Sequence, residues 1–521
     1  MAADDARFTR TQVLTLVATV ACSGVVFLDS SLANVALPAI QRELHMTTAQ
    51  QQWVASAYLL TVSTLLLVGG RLADVYGRRR LFMSGLAAYA VFSVAVALSP
   101  AASFLIGARA MQGVAGAMLV PTSLALVNAT FPRRSRGRAI GVWSAWSGII
   151  TVLGPVLGGL LIDNVTWRVA LLITPALALF AIWAGRALVE SRDQTASRKP
   201  DVVGALLVAA MAGGPVFALI QGPVSGWGSA EVVAGVVTGS LAAPAFLLWE
   251  RRTSSPMVPL EVFANRDLVA ANVATLFVYA ALYGSFFYVT IYIQSALGVS
   301  ATIAGAVFIP VTVLLFFLSP YAGRLNDRHG PRWLMAFGGL GAAAGFALMA
   351  FTGPGQVFTV LVPGVLLLGA GLGFTVAPLT ATAIGSTEER YSGVASGLNN
   401  AVSRVAALVS IAALGVVVVA IWREGLATQA TALGLGASAR AALADVRDTA
   451  FVLPGDAAAR EAALAAAQRA YRDGMLLVAA LAAIGGAVSA IWIREGSTAA
   501  AGEEPAGEPA EEPAEEPRES R

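Results

Sequence analysis

Asp29 and Arg109 are the residues of this 521-residue chain whose surroundings make a side-chain charge most expensive. Asp29 lies in the apolar run Val13–Val35 and Arg109 in the run Ser103–Thr130. Crossing a hydrocarbon core takes about 20 apolar residues, and both runs reach that length. A carboxylate at mid-span costs about 2.5–3.5 kcal/mol on insertion scales, so it calls for a partner or a task. Asp29 is roughly six residues from the outer end of its run and Arg109 roughly six from the outer start of its own, which puts both about 9 Å below the boundary. Equal depth and opposite sign predict an ion pair. Burial opposes the charge on Asp29 and the arginine favours it, so a small movement decides whether the acid holds a proton. A carboxylate shared between a proton, an arginine and a cationic ligand is a coupling device. Two plainer readings stay open: a fixed salt bridge tying two helices together, and two charges solvated separately in a cavity.

Aromatic residues supply the second chemistry. Tyr279, Tyr283, Phe286, Phe287, Tyr288 and Tyr292 crowd one later run. At helical spacing Tyr279, Tyr283 and Phe286 share a face, where an apolar or cationic ligand could stack, or where they simply pack a core. Tyr288 and Tyr292 fall on the opposite face as interfacial belt or packing.

A third signal is a duplicated loop. Gly70–Arg79 and Gly323–Arg332 both read G-x-L-x-D-x-x-G-x-R, and each follows the second of six apolar segments. Glycines allow a tight turn, and Asp74 can face a helix N-terminus or the neighbouring Arg78 and Arg79. Gly70, Asp74, Gly77, Arg78, Arg79 and Asp327 are read as an inner latch between two halves, besides the basic charge that sets topology. Gly148, Gly154, Pro155, Gly158 and Gly159 open a groove along another run, and Pro155 disfavours a straight helix, which predicts a bendable, tightly sealed element or close packing.

The elements that must hold these residues are membrane helices. Hydrophobic residues make up 57% of the chain, charged ones 12%, and mean hydropathy is +0.72, which excludes an ordinary soluble domain. Apolar windows lie at Val13–Val35, Val54–Gly70, Phe82–Leu98, Ser103–Thr130, Ile140–Ile162 and Ala170–Leu188, then Val202–Gln221 and Val232–Trp249, then six more centred near Tyr283, Thr312, Ala343, Gly369, Ser410 and Ala483. The fold class is an all-α integral membrane protein with 14 transmembrane helices, arranged six, two, six. Duplicated units of this kind enclose a site at their interface and rock around it. If the N-terminus is cytoplasmic, most of the 34 Lys and Arg fall in inner segments, while the short outer loops keep only Arg42 and Arg168. Both termini are expected inside.

The domains expected are 1–190, a six-helix bundle; 191–267, a linker with the extra helix pair; 268–498, a second bundle with an outside loop at 423–473; and 499–521, a disordered acidic tail. Within the loop, Asp456–Asp473 reads as a short water-soluble helix. The basic residues sit in short topogenic clusters, so nucleic acid is not an expected partner. Cys22 is the sole cysteine, His45 and His329 are far apart, and neither an H-E-x-x-H nor a Walker-type motif occurs. No enzyme activity, cofactor or metal is expected, and an ATP-driven pump is disfavoured.

From Leu28 to Arg494 the chain resembles the major facilitator superfamily and, within it, the fourteen-helix drug:proton antiporters. The residues that carry the resemblance are Leu28-Asp29-Ser30-Ser31-Leu32-Ala33-Asn34-Val35-Ala36-Leu37-Pro38, the Gly70–Leu81 loop, Arg109-Ala110-Met111-Gln112-Gly113, the Gly154-Pro155-x-x-Gly158-Gly159 stretch and Tyr292-Ile293-Gln294. Val75 stands where an Arg is usual, and Val405-Ala406-Ala407 follows Arg404 where Gln and Gly are usual. The resemblance implies the major facilitator fold in two pseudo-symmetric bundles, working as a monomer in a bacterial inner membrane. It implies efflux of amphipathic or cationic small molecules in exchange for protons, with Asp29 and Arg109 coupling the proton. The substrate cavity would be lined by Asn34, Tyr279, Tyr283, Phe286 and Gln294. A dedicated exporter of an endogenous metabolite, peptide or lipid is the nearest alternative; a non-transporting membrane sensor or scaffold is another.

Overall fold

The computed structural model of the chain describes residues 8–192, 201–253, 256, 258–387 and 391–494. The acidic tail 499–521 and part of the expected linker, Lys199 included, lie outside the described residues. Among the described residues every regular element is helical. In lipid the backbone must satisfy its own N–H and C=O groups, and a helix does so within each span. The crossings are α1 (Arg10–Leu44), α2 (Thr48–Tyr76), α3 (Arg78–Ala97), α4 (Ala102–Thr130), α5 (Arg133–Asn164) and α6 (Trp167–Gly185); the inserted pair α7 (Val202–Ser225) and α8 (Ala230–Arg252); then α9 (Arg266–Ser295), α10 (Ala301–His329), α11 (Pro331–Met349), α12 (Val357–Gly385), α13 (Ser392–Ala432) and α14 (Ala457–Trp492). Thirteen are continuous spans; α2 is bent by 51° between Thr48–Leu66 and Val68–Tyr76. The six, two, six order is the expected one.

Local chemistry sets the boundaries. Both α1 and α2 start on a T-x-x-Q capping box: the Thr9 hydroxyl accepts from Gln12 N and Gln12 accepts from Thr9 N at 2.9 Å, and Thr47 and Gln50 repeat the exchange. Gly77 (φ +111°) separates α2 from α3, and Gly330 (φ +76°) separates α10 from α11. These are the same position of the duplicated loop, and both need the conformation that only glycine adopts cheaply.

The end of the molecule that carries these two loops and both described chain ends is the basic end; the opposite one is the far end. Backbones approach closely where lipid offers no hydrophobic drive. A Cβ on Gly69 of α2 would stand 2.3 Å from the Ala117 carbonyl of α4, and one on Gly371 of α12 would meet the Gly338 carbonyl of α11 at 2.6 Å. Within the inserted pair, α7 places Ala212, Val216 and Ile220 against Leu408 and Ala412 of α13 and partly against Trp53 and Leu60 of α2. The pair therefore leans on both bundles at their seam.

At the far end the structure corrects the expected loop. α14 begins at Ala457, so Asp456–Asp473 belongs to the start of the last span's own helix and is not a separate one. Asp456 caps it through Ala459 N (2.9 Å), the sequence is alanine-rich, and no proline interrupts it. With the extension of α13 and a short helix, Ala437–Asp445, it forms a cap. Tyr471 stacks on Tyr292 of α9 with ring centroids 3.9 Å apart, and Trp422 Nε1 donates to the Val446 carbonyl. Phe451 is buried there with φ +70°, a strained conformation costing about 1–3 kcal/mol. Its ring lies edge-on to Tyr292 at 5.5 Å, and that packing opposes the strain.

Candidate functional site

α1 and α4 bring Asp29 and Arg109 together. Arg109 Nη1 donates to Asp29 Oδ2, and each residue is 2% exposed. Gln112, one turn along α4, donates to Asp29 Oδ1 (2.9 Å) and to the Ser93 hydroxyl of α3 (2.8 Å), while its own carbonyl oxygen accepts from Arg109 (2.6 Å). Arg109 Nε reaches the Val54 carbonyl of α2, and its guanidinium lies 4.5 Å over the Tyr58 ring. Four helices thus meet around this pair, α2 through Arg109 and α3 through Gln112. Because both carboxylate oxygens are taken and the group faces the inside of the first bundle, a cationic ligand has no access to Asp29 in this structure, contrary to the expected three-way choice. The signal for Gln112 in the sequence is an amide one turn from a mid-span arginine.

The cavity lies on the other side of α1. At about 100° per residue, Ser31 and Asn34 point away from Asp29. They face a cavity of about 110 Å³ between the bundles, shared with Pro155 of α5, Phe286 and Thr290 of α9 and Thr312 of α10. Phe286 packs on Phe308 at 4.2 Å. Tyr283, 40% exposed, and Tyr279 continue the Phe286 stripe toward the basic end, their rings 6.1 Å apart. Of the predicted cavity residues, Asn34 and Phe286 line this space and the two tyrosines extend from it. Gln294 does not: it stands a turn beyond, donating to the Val35 carbonyl of α1, because the helix rise carries it past the cavity roof. Tyr288 and Tyr292 are buried packing residues and not an interfacial belt.

The two bundles are sealed at the far end. Asp163, at the end of α5, accepts from the Ala301 N (2.9 Å), Thr302 N (2.8 Å) and Thr302 hydroxyl (2.6 Å) that open α10. The α5 motif has two faces: Gly154 and Gly158 sit against Leu28 and Leu32 of α1, whereas a Cβ on Gly159 would meet the Ala301 carbonyl at 2.5 Å, and one on Gly305 the Pro155 carbonyl at 2.3 Å. Gly148 has nothing within 4 Å. Gln52 of α2 crosses to Tyr288 and to the Ile411 carbonyl of α13, and Thr48 pairs with Asp448 and Ala450 of the cap. Gln52 and Asp163 carry no local sequence signal, because their partners are more than a hundred positions away.

At the basic end the loop contacts stay within the first bundle. Arg78 pairs with Asp74 (2.9 Å), and Arg79 Nη2 donates to the Arg186 carbonyl. Glu190, after α6, accepts from Arg79 N (3.0 Å) and Arg80 N (3.2 Å), so Glu190 and not Asp74 holds the N-terminus of α3. A Cβ on Gly77 would lie 2.6 Å from Glu190 Oε1. Gly70 is in ordinary contact with Pro121, and Asp327 in the second copy is exposed. Among the described residues no hydrogen bond or ion pair of Asp74, Arg78 or Arg79 reaches the second bundle, so the expected inner latch is not engaged here.

Comparison with known proteins agrees with this architecture. The sequence pattern of the Major Facilitator Superfamily matches residues 19–411 and 271–494. The chain is 33% identical to the multidrug resistance protein Stp of Mycobacterium tuberculosis (strain CDC 1551 / Oshkosh), over 79% of this chain and 76% of that protein. It is 36% identical to the puromycin resistance protein pur8 of Streptomyces alboniger, over 77% and 81%. In fold it is similar to a bacterial homolog of the human lysosomal transporter Spinster in an inward-facing, unoccupied conformation, with a TM-score of 0.67 at 15% identity, over 93% of this chain and 97% of that one. With two bundles closed on a shared cavity and relatives that match over most of its length, the chain belongs to the Major Facilitator Superfamily.

Proposed function

We propose that this transporter is a proton-coupled exporter of amphipathic small molecules, working as a monomer in a bacterial inner membrane. The observation that carries the reading is the placement of α1, which holds the buried Asp29–Arg109 pair on one face and cavity residues Ser31 and Asn34 on the other. A turn of one helix moves both sites. The names of the relatives, which concern multidrug and puromycin resistance, support a drug-like cargo. The concentration of Arg at the basic end supports a cytoplasmic location for that end and for both termini.

On this reading the far end is the outside, and its seal makes the present state inward-facing. Protonation of Asp29 from outside weakens its hold on Arg109, and α1 settles differently against α5 once cargo has left. Return of the proton to the cytoplasm restores the pair. A proton moving through 100 mV supplies about 2.3 kcal/mol to drive the cycle. The Gly70–Arg79 and Gly323–Arg332 loops, with Asp74, Arg78, Arg79 and Asp327, close the inner side in the opposite state, and the Gly154–Gly159 stretch is the outer seal.

The test is efflux from proteoliposomes with an imposed pH gradient. Wild type concentrates a lipophilic drug against its gradient only while the pH difference lasts, and Asp29→Asn does not. Uphill movement by Asp29→Asn at the wild-type rate overturns the coupling.

A further inference from the structure

Among the described residues, one more charge besides the Asp29–Arg109 pair lies well inside a span, on a half-buried side chain. Arg404 is on α13, and its Nε is shut off from solvent without a hydrogen-bond partner. No described carboxylate stands within ion-pair distance of it. Its helix face is defined by two contacts further along α13: the Ile411 carbonyl accepts from Gln52 and Tyr288, and a Cβ on Gly415 would collide with both. At helical periodicity Arg404 shares that face, two turns or about 10 Å nearer the basic end. Arg404 therefore looks into the seam between the bundles, toward α2, below the far-end seal.

Among the described residues no side chain in that seam pairs with its charge. Asp29, the one carboxylate placed mid-span among the described residues, is engaged by Arg109 and Gln112 behind α2. Of the α2 hydroxyls within a turn or so of that depth, Thr61, Ser63 and Thr64 are spent on the carbonyls of Ala57, Leu59 and Leu60, and Ser56 Oγ is buried with no hydrogen-bond partner. Next to Arg404 on α13, the exposed Asn400 donates to its own helix at the Ser396 carbonyl. Tyr58, the ring beneath Arg109, lies within electrostatic reach of Arg404 as well. A guanidinium without a counter-ion at this depth is expensive, and such residues mark ligand pathways in membrane proteins. With the acid already neutralised by its own arginine, the net charge presented to cargo is positive.

The structure assigns Arg404 as the anion-recognising residue of the transport pathway, receiving the carboxylate or phenolate of an amphipathic aromatic molecule in the seam between α2 and α13. This deepens the export reading and rests on it, and it turns the charge preference of the cargo away from cations. Arginine suits the task because its planar fork meets a carboxylate with two parallel N–H donors, which a lysine cannot do.

The test compares fluorescein, an aromatic carboxylate, with ethidium, a permanent cation, on the purified full-length protein in nanodiscs. Binding is read by fluorescence anisotropy and transport in the same proteoliposomes. Arg404→Gln is expected to weaken fluorescein binding by about tenfold or more, the worth of one charged hydrogen-bonded contact, and to leave ethidium binding unchanged or tighter. Arg404→Lys is expected to recover part of the loss, which shows that the protein is folded and that charge is what matters. Equal losses for both dyes, or fluorescein binding that ignores Arg404→Gln, overturn the assignment. The two readings fail separately. Arg404-dependent binding without gradient-driven movement removes the export reading and keeps the site, and gradient-driven export with Arg404-independent binding does the reverse.

Discussion

Gln52 on α2 donates through Nε2 to the hydroxyl of Tyr288 on α9 at 2.7 Å, joining the two bundles in a place where both side chains are buried. Gly415 makes the crossing possible, since a Cβ there would stand 1.4 Å from the same Nε2. On the export reading, this bond breaks each time the far end opens. Gln52→Leu removes two buried hydrogen bonds, to Tyr288 and to the Ile411 carbonyl, worth about 1 kcal/mol each, enough to shift the balance between the two states about thirtyfold toward the open far end. Gly415→Ala acts in the same direction. The measurement is labelling of Asn34→Cys by a membrane-impermeant maleimide from the far side; Cys22 is buried and gives a quiet background. Labelling no faster than in the Asn34→Cys parent would count against the latch.

The glycines of α5 are predicted to differ sharply. Gly159→Ala pushes a methyl into the Ala301 carbonyl and Gly305→Ala into that of Pro155, so neither variant seals the far end and net transport falls by at least about tenfold. Gly148→Ala meets open space and is expected to transport like wild type. Comparing initial efflux rates of the three variants decides whether the motif acts through these close approaches or through flexibility in general.

Breaking the buried pair from either side leaves a charge stranded. Asp29→Asn and Arg109→Gln are each expected to cost about 3–5 kcal/mol, with the double variant costing clearly less than their sum. Thermal unfolding in detergent measures it. Additive losses would mean that Asp29 and Arg109 are held by their other neighbours, Gln112, Val54 and Tyr58, more than by each other.

Glu190 is expected to matter to stability and not to cargo. Glu190→Gln weakens the anchoring of the α3 N-terminus by about 1 kcal/mol. Gly77→Ala adds backbone strain and a clash with the same carboxylate, for a loss of about 1–3 kcal/mol. Melting temperature falls in both, while cargo affinity in a binding assay stays at the wild-type value; a changed affinity would place the loop in the binding path.

Asp29 and Arg109 were legible because a charge inside an apolar run stands out whatever surrounds it, and the duplicated loop was legible because Gly77 and Gly330 fill the same backbone need. Helix number and order followed from run length alone. Depth along a helix was read less well: Gln294 lies a turn past the cavity, since a face can be read from periodicity but a cavity roof depends on the neighbouring bundle. Asp163, Gln52 and Glu190 could not be found from sequence, because each completes a contact supplied by a distant segment. Asp456–Asp473 was misjudged as a separate helix because its polar residues mark a change of solvent, and a helix can pass from water into lipid without breaking.

The far-end cap is fastened to the second bundle by the Tyr292–Tyr471 stack and by Trp422, yet it grips the first bundle's α2 at Thr48. When the bundles part, the cap travels with one partner and slides off the other, so the Thr48–Ala450 border exists as a continuous epitope in one conformation and not in its counterpart. A nanobody selected to straddle that border would clamp the carrier shut from its far end without entering the membrane.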